Sequence, residues 1–97
     1  MQSAKVTIRP IGGFREVTGQ KAIEVEGPNE LGALLRLLSK NYGRPFEDLI
    51  RDPKTGELIS DLLVIVNGKP LCGSSTIERF KLGDGDEIYL TYLAEGG

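Results

Sequence analysis

With 97 residues, 39% of them hydrophobic and 27% charged, the chain has the make-up of one small globular domain, long enough to bury roughly 60–70% of its extended surface. No apolar run approaches the ~20 residues of a membrane helix, and a net charge of -2 with scattered Lys and Arg offers nucleic acid no basic face, so neither is expected as a partner. Histidine is absent and Cys72 is the single cysteine, which excludes an intrachain disulfide, a His or Cys metal site and a Ser-His or Cys-His nucleophile within the chain.

Met1 to Lys5 carries no basic segment followed by an apolar one, so no secretory leader is expected and the cytoplasm is the default location. Lys5-Val6-Thr7-Ile8-Arg9 alternates apolar with polar and predicts a half-buried strand with Val6 and Ile8 inward. Pro10 and Gly12-Gly13 end it, and Phe14 to Gly19 reads as a connection rich in turn formers. Ala22 to Glu26 alternates again, with Ile23 and Val25 inward, giving an N-terminal hairpin.

Gly27-Pro28-Asn29 stops that strand and starts a helix, with Asn29 the best N-cap candidate and Glu30 placed against the positive end of the helix dipole. Leu31, Leu34, Leu35, Leu38 and Tyr42 form one apolar stripe able to lie across a sheet, and Gly43 is a natural C-terminal cap. Gly32 weakens the helix by about 1 kcal/mol relative to Ala unless its small size serves close packing on the sheet. Arg44-Pro45 breaks the helix, Phe46 to Ile50 predicts one further turn, and 51–60 is a polar excursion containing the turn Asp52-Pro53-Lys54-Thr55-Gly56.

Leu62-Leu63-Val64-Ile65-Val66 is the most continuously apolar strand, closed by the hairpin pair Asn67-Gly68, with Lys69-Pro70-Leu71 as a short edge strand. Ser74-Ser75-Thr76 offers capping hydroxyls to a helical turn containing Ile77 and Phe80. The turn Gly83-Asp84-Gly85-Asp86 precedes the last strand, Glu87 to Leu93; its acidic groups have a turn-forming explanation before a cation-binding one. Cys72 is expected as a small buried filler. One long helix with a mixed sheet of four or five strands is an α+β architecture, the helix covering one face.

Alternation in the last strand turns Ile88, Leu90 and Tyr92 toward the helix and Tyr89, Thr91 and Leu93 away from it. With Val64 and Val66 inward, Leu63 and Ile65 join them in an exposed apolar patch on the opposite face, a candidate partner-binding surface. The plainer alternative is scattered surface hydrophobics, or cover from the 51–60 excursion. Beyond the strand, Ala94-Glu95-Gly96-Gly97 is expected to be a flexible tail at 94–97 on a domain at 1–93, its two glycines leaving a main chain thin enough to thread a narrow cleft.

The order of elements, the segment Pro28-Asn29-Glu30-Leu31, the strand and turn Val64 to Leu71, the turn Gly85-Asp86-Glu87 and the Gly96-Gly97 ending together resemble the β-grasp, ubiquitin-like proteins. Within them the chain is most similar to the MoaD sulfur carriers, through Leu82-Gly83-Asp84-Gly85-Asp86-Glu87-Ile88 and the Gly-Gly ending, and small archaeal modifier proteins share the remaining features. The 51–60 excursion is longer than the smaller ThiS-type carriers usually allow.

The resemblance implies a chain with no catalytic residue and no bound cofactor of its own, carried by its partners. Its reactive group is the Gly97 carboxylate, an anion at pH 7, which attacks the α-phosphate of ATP held by an adenylating enzyme. The implied fate is a thiocarboxylate that donates sulfur to molybdopterin, with the large subunit of molybdopterin synthase as second partner. The alternative is transfer to target-protein lysines as a modifier, and a third reading is an interaction module whose Gly-Gly ending is incidental.

Overall fold

The computed structural model describes residues 2–93; the predicted tail residues Ala94, Glu95, Gly96 and Gly97 lie outside the described residues. Nine elements follow in order: β1 (Ser3–Pro10), α1 (Gly13–Thr18), β2 (Ile23–Pro28), α2 (Leu31–Tyr42), α3 (Arg44–Ile50), β3 (Leu62–Val66), β4 (Lys69–Cys72), α4 (Ser74–Arg79) and β5 (Glu87–Tyr92). The sheet order is β2-β1-β5-β3-β4, with β1 and β5 parallel and every other pair antiparallel. The expected α+β architecture is present, with three short helices added to the one long helix.

Alternation builds the core from one face of this sheet. Ala4, Val6 and Ile8 of β1, Leu62, Val64 and Val66 of β3, and Ile88 and Leu90 of β5 are buried. They meet the predicted stripe of α2, where Leu31, Leu34, Leu35 and Leu38 are likewise buried, each contributing about 1.5–3 kcal/mol relative to an exposed side chain. The opposite face carries Lys5, Glu24 and Glu26, all exposed, as half-buried strands require. Asn67 (φ 52) and Gly68 (φ 85) both sit at positive φ, which is the type I′ hairpin turn that this residue pair favours.

Several local expectations are corrected. The connection after β1 contains a helix, α1, because Phe14 is driven fully into the core and packs edge-on against Phe46 at 5.8 Å. Asn29 does not cap α2: Glu30 occupies the N-cap without a side-chain bond, while the Asn29 amide donates to Gln2 Oε1 at 3.1 Å. The helix start is instead pinned by the chain at 80–82, with the Leu31 N–H donating to the Phe80 carbonyl at 2.9 Å and the Leu82 N–H to the Asn29 carbonyl at 2.6 Å. The Ser74 hydroxyl makes no cap on α4 and accepts the Leu58 N–H at 3.3 Å, so it ties the excursion to the domain.

Gly32 is a close-packing residue, yet its neighbour is α4 and not the sheet. A Cβ there would stand 2.7 Å from the Glu78 carbonyl oxygen and 3.0 Å from the Glu78 Cα, so α4 backbone would have to move. Gly32→Ala therefore gains about 1 kcal/mol of helix propensity and loses about 1–3 kcal/mol to overpacking. The expected outcome is a lower denaturation midpoint in urea; a raised midpoint would contradict the helix contact.

Candidate functional site

The geometry that matters for the tail is set by β5, which runs between β1 and β3 and is hydrogen-bonded on both sides. Pairing in register sets Tyr89 opposite Ile65 and Thr91 opposite Leu63 on β3, with Arg9 of β1 on the other flank of Tyr89. The predicted residues Leu63, Ile65, Tyr89 and Thr91 are therefore brought together as cross-strand neighbours on the face away from α2. Leu93 follows one residue beyond β5.

This face is less exposed than expected. Leu63, Ile65 and Tyr89 are half-buried and Thr91 retains only 8% of its surface, while Leu93 is 55% exposed. Side chains on paired strands stand about 4.5–5.5 Å apart at Cβ, close enough for neighbours such as Leu63 and Thr91 to cover part of each other's surface. A further residue belongs here that sequence reading passed over. Ile11, 38% exposed, donates its N–H to the Leu90 carbonyl at 3.0 Å, and the parallel pattern sets it beside Thr91. Its signal was an apolar residue standing between Pro10 and Gly12-Gly13, outside any alternating run.

Charge enters the same face through Arg9. Its Nε donates to Glu87 Oε2 at 2.6 Å, and this bond, with the Glu87 charge, pushes the guanidinium further above its already high range, so Arg9 stays a cation. Both side chains remain about two-fifths exposed, and solvent screens the pair.

At the tail end of the sheet the last described residues are fastened to the helical layer. The Tyr92 hydroxyl donates to the Leu49 carbonyl of α3, and its ring stacks at 5.2 Å from Phe14 of α1 with a 36° tilt. The Leu93 N–H donates to the Asp61 carbonyl at 2.8 Å, just ahead of β3. Tyr92 and Leu93 are thus held by α1, α3 and the residue just ahead of β3.

The acidic candidate groups are placed away from this end. Asp84 accepts the Lys5 N–H at 2.9 Å, and Asp86 accepts the Gly83 N–H and the Asn67 amide, each at 2.8 Å. Asn67 Oδ1 in turn accepts the Glu87 N–H at 2.9 Å, so these acidic residues build the turn that enters β5. Among the described residues no three His, Cys, Asp or Glu side chains gather as a metal group. Cys72, expected as a buried filler, is exposed: Leu71 turns into the core of the edge strand, and its neighbour must turn out.

No protein-family model matches the chain, and no curated protein matches it by sequence. Its likeness is to solved structures. Small archaeal modifier protein 1 from Methanosarcina acetivorans superposes with a TM-score of 0.78 at 19% identity, over 100% of this chain and 100% of that one. A putative molybdopterin converting factor, subunit 1, from Pyrococcus furiosus gives 0.69 at 21% identity, over 93% of this chain and 98% of that one. The antigen CysO from Mycobacterium tuberculosis gives 0.68 at 27% identity, over 90% of this chain and 97% of that one.

The anchor at Tyr92 is open to a direct check. Tyr92→Phe keeps the ring against Phe14 and deletes the donor to Leu49, which lowers unfolding free energy by about 0.5–1.5 kcal/mol in urea titration while leaving far-UV circular dichroism unchanged.

Proposed function

We propose that this chain, whose fold is a β-grasp, ubiquitin-like one, is a carrier whose chemistry takes place at Gly97, with sulfur delivery for molybdopterin synthesis as its leading role. The observation that carries this reading is a fold shared over nearly its whole length with a molybdopterin converting factor subunit, in a sequence whose last strand leads to Gly96-Gly97. The chain offers position and a carboxylate; acid, base and nucleotide site come from its partners.

In this reading a Gly97 carboxylate oxygen attacks the α-phosphorus of ATP held by an adenylating enzyme. The bond between that phosphorus and its bridging oxygen breaks, pyrophosphate leaves, and an acyl-adenylate remains. A sulfide-level nucleophile then adds to the Gly97 carbonyl carbon, AMP departs with the electron pair of the carbon–oxygen bond, and a thiocarboxylate is left. The large subunit of molybdopterin synthase takes the sulfur. The face holding Leu63, Ile65, Tyr89, Thr91 and Leu93 seats these partners, because among the described residues no helix packs on it.

Among the described residues no helix is long and apolar enough to cross a membrane, and the reading sets the chain in the cytoplasm with its ATP-dependent partner. The second reading, conjugation through Gly97 to lysines of other proteins, is favoured by the end-to-end match with a small archaeal modifier protein. It shares the adenylation step and diverges at the nucleophile, where an enzyme thiol and then a lysine amine replace sulfide.

Intact-mass analysis of the chain from its native host distinguishes the two. Exchange of one oxygen for sulfur on the chain is the expected outcome, whereas Gly97-linked adducts on other proteins would establish the modifier role. Deleting Gly97 abolishes either product; full function without Gly97 would reject both readings.

A further inference from the structure

We propose that the outer edge of β2 is a separate interaction surface, which takes an extended peptide of alternating basic and aliphatic residues as an added strand. This surface is independent of the chemistry at Gly97. The order β2-β1-β5-β3-β4 leaves the sheet two edges, and they are unlike. The Thr7 N–H donates to the Asp86 carbonyl at 3.0 Å and the Lys5 carbonyl accepts the Gly85 N–H at 2.8 Å, so these β1 residues bond toward β5. Ala4, Val6 and Ile8 then bond toward β2, where Gly27, Val25 and Ile23 are their partners. Alternation turns the main-chain N–H and C=O groups of Glu24 and Glu26 outward, and no backbone group among the described residues meets them there.

The opposite edge is closed to such pairing. The Glu87 carbonyl accepts the Asn67 N–H at 2.9 Å, which sets Glu87, Tyr89 and Thr91 toward β3 and their partners Ile65 and Leu63 toward β5. Val64 and Val66 therefore bond to Leu71 and Lys69, and it is Pro70 and Cys72 that face out from β4. Pro70 has no N–H, so β4 presents a single outward donor, at Cys72.

The side chains of β2 select the occupant. An added strand continues both faces of the strand it joins. On the helix side these are the half-buried Ile23 and Val25, with Leu37 of α2 close to Gly27, where a Cβ would stand 3.1 Å from the Leu37 Cδ2. On the other side are Glu24 and Glu26, both exposed. Lys5 lies across the ladder from Glu26, yet neither glutamate has an ion-pair partner among the described residues. A second copy of this chain is disfavoured, since two-fold antiparallel pairing about Glu24, Val25 or Glu26 sets glutamate directly against glutamate. A strand with Lys or Arg opposite the glutamates and aliphatic residues between them suits both faces. Main-chain bonds then supply affinity and the charges supply selection.

The test uses the full 97-residue chain, isotope-labelled for amide exchange, and an acetylated, amidated nonapeptide in which Lys alternates with Val. At a peptide concentration about ten times its Kd, exchange at the Glu24 and Glu26 amides is expected to slow about tenfold, with Cys72 unchanged. Replacing both exposed glutamates, Glu24→Lys with Glu26→Lys, weakens binding at least about tenfold while far-UV circular dichroism stays the same. A peptide of Glu alternating with Val does not bind. Methylating the amide nitrogens of one alternate set of peptide residues abolishes binding and methylating the other set leaves it intact, because only one set faces β2. The proposal is overturned if the Lys–Val peptide does not bind, if binding survives methylation of either set, or if the double variant binds as wild type. Protection of Glu24 and Glu26 by self-association without peptide would also overturn it, by giving the edge to a second copy. Each of these outcomes leaves the reading at Gly97 untouched.

Discussion

The double pairing of β5 is the constraint from which the other features take their places. A last strand in the middle of a sheet must form ladders with β1 on one side and β3 on the other, and its two partners come from opposite ends of the sequence. Both registers must hold at once. A slip of one residue would turn Ile88 and Leu90 out of the core and bring Tyr89 and Thr91 in, so burial and pairing enforce each other. Because of this coupling, the end of β5 is fixed in place, and the fastening of Tyr92 and Leu93 extends that control to Leu93, past the last ladder bond.

A second network absorbs the 51–60 excursion. Arg51, whose side chain is only 14% exposed, reaches Glu78 of α4 at 3.2 Å, Glu47 of α3 at 3.5 Å and the Gly56 carbonyl at 3.0 Å. An antiparallel bridge from Arg51 to Leu58 and the bond from the Ile59 N–H to the Ile50 carbonyl then close the excursion on itself. A partly desolvated ion pair of this kind adds little net stability, because desolvation offsets attraction; its effect is to single out one arrangement of α3, α4 and the loop. The close approach of Gly32 to Glu78 belongs to the same corner, where backbone must come near enough for Glu78 to reach Arg51.

Legibility in the sequence tracked the range of the interaction that decides each feature. The strand Leu62–Val66 and the Asn67-Gly68 turn were readable to the residue, since alternation and turn chemistry are local. The stripe of α2 was equally plain, and so was its end at Gly43. Helix α1 was not, because six residues do not display a period, and it is the burial of Phe14 between Phe46 and Tyr92 that winds it. The start of α2 misled for a similar reason: Asn29 has the right side chain for a cap, but residues 80–82 supply the bonds from across the fold. The face of the candidate site followed from parity alone, whereas its degree of exposure and the membership of Ile11 depend on which strands become neighbours.

The division of labour in the molecule follows from where its strong interactions are spent. Nearly every acidic group near β5 is engaged by backbone or by a neighbouring side chain, Asp84 and Asp86 within the entering turn and Glu87 with Arg9. Such groups stabilise an arrangement and are poorly placed to exchange partners during a reaction. The sequence holds no histidine to move protons near neutral pH. Under the proposed reading, reactivity therefore falls to the Gly97 carboxylate, four residues beyond Leu93 in the sequence. In that reading a partner acts on the carboxylate without unmaking the bonds that hold Tyr92 and Leu93.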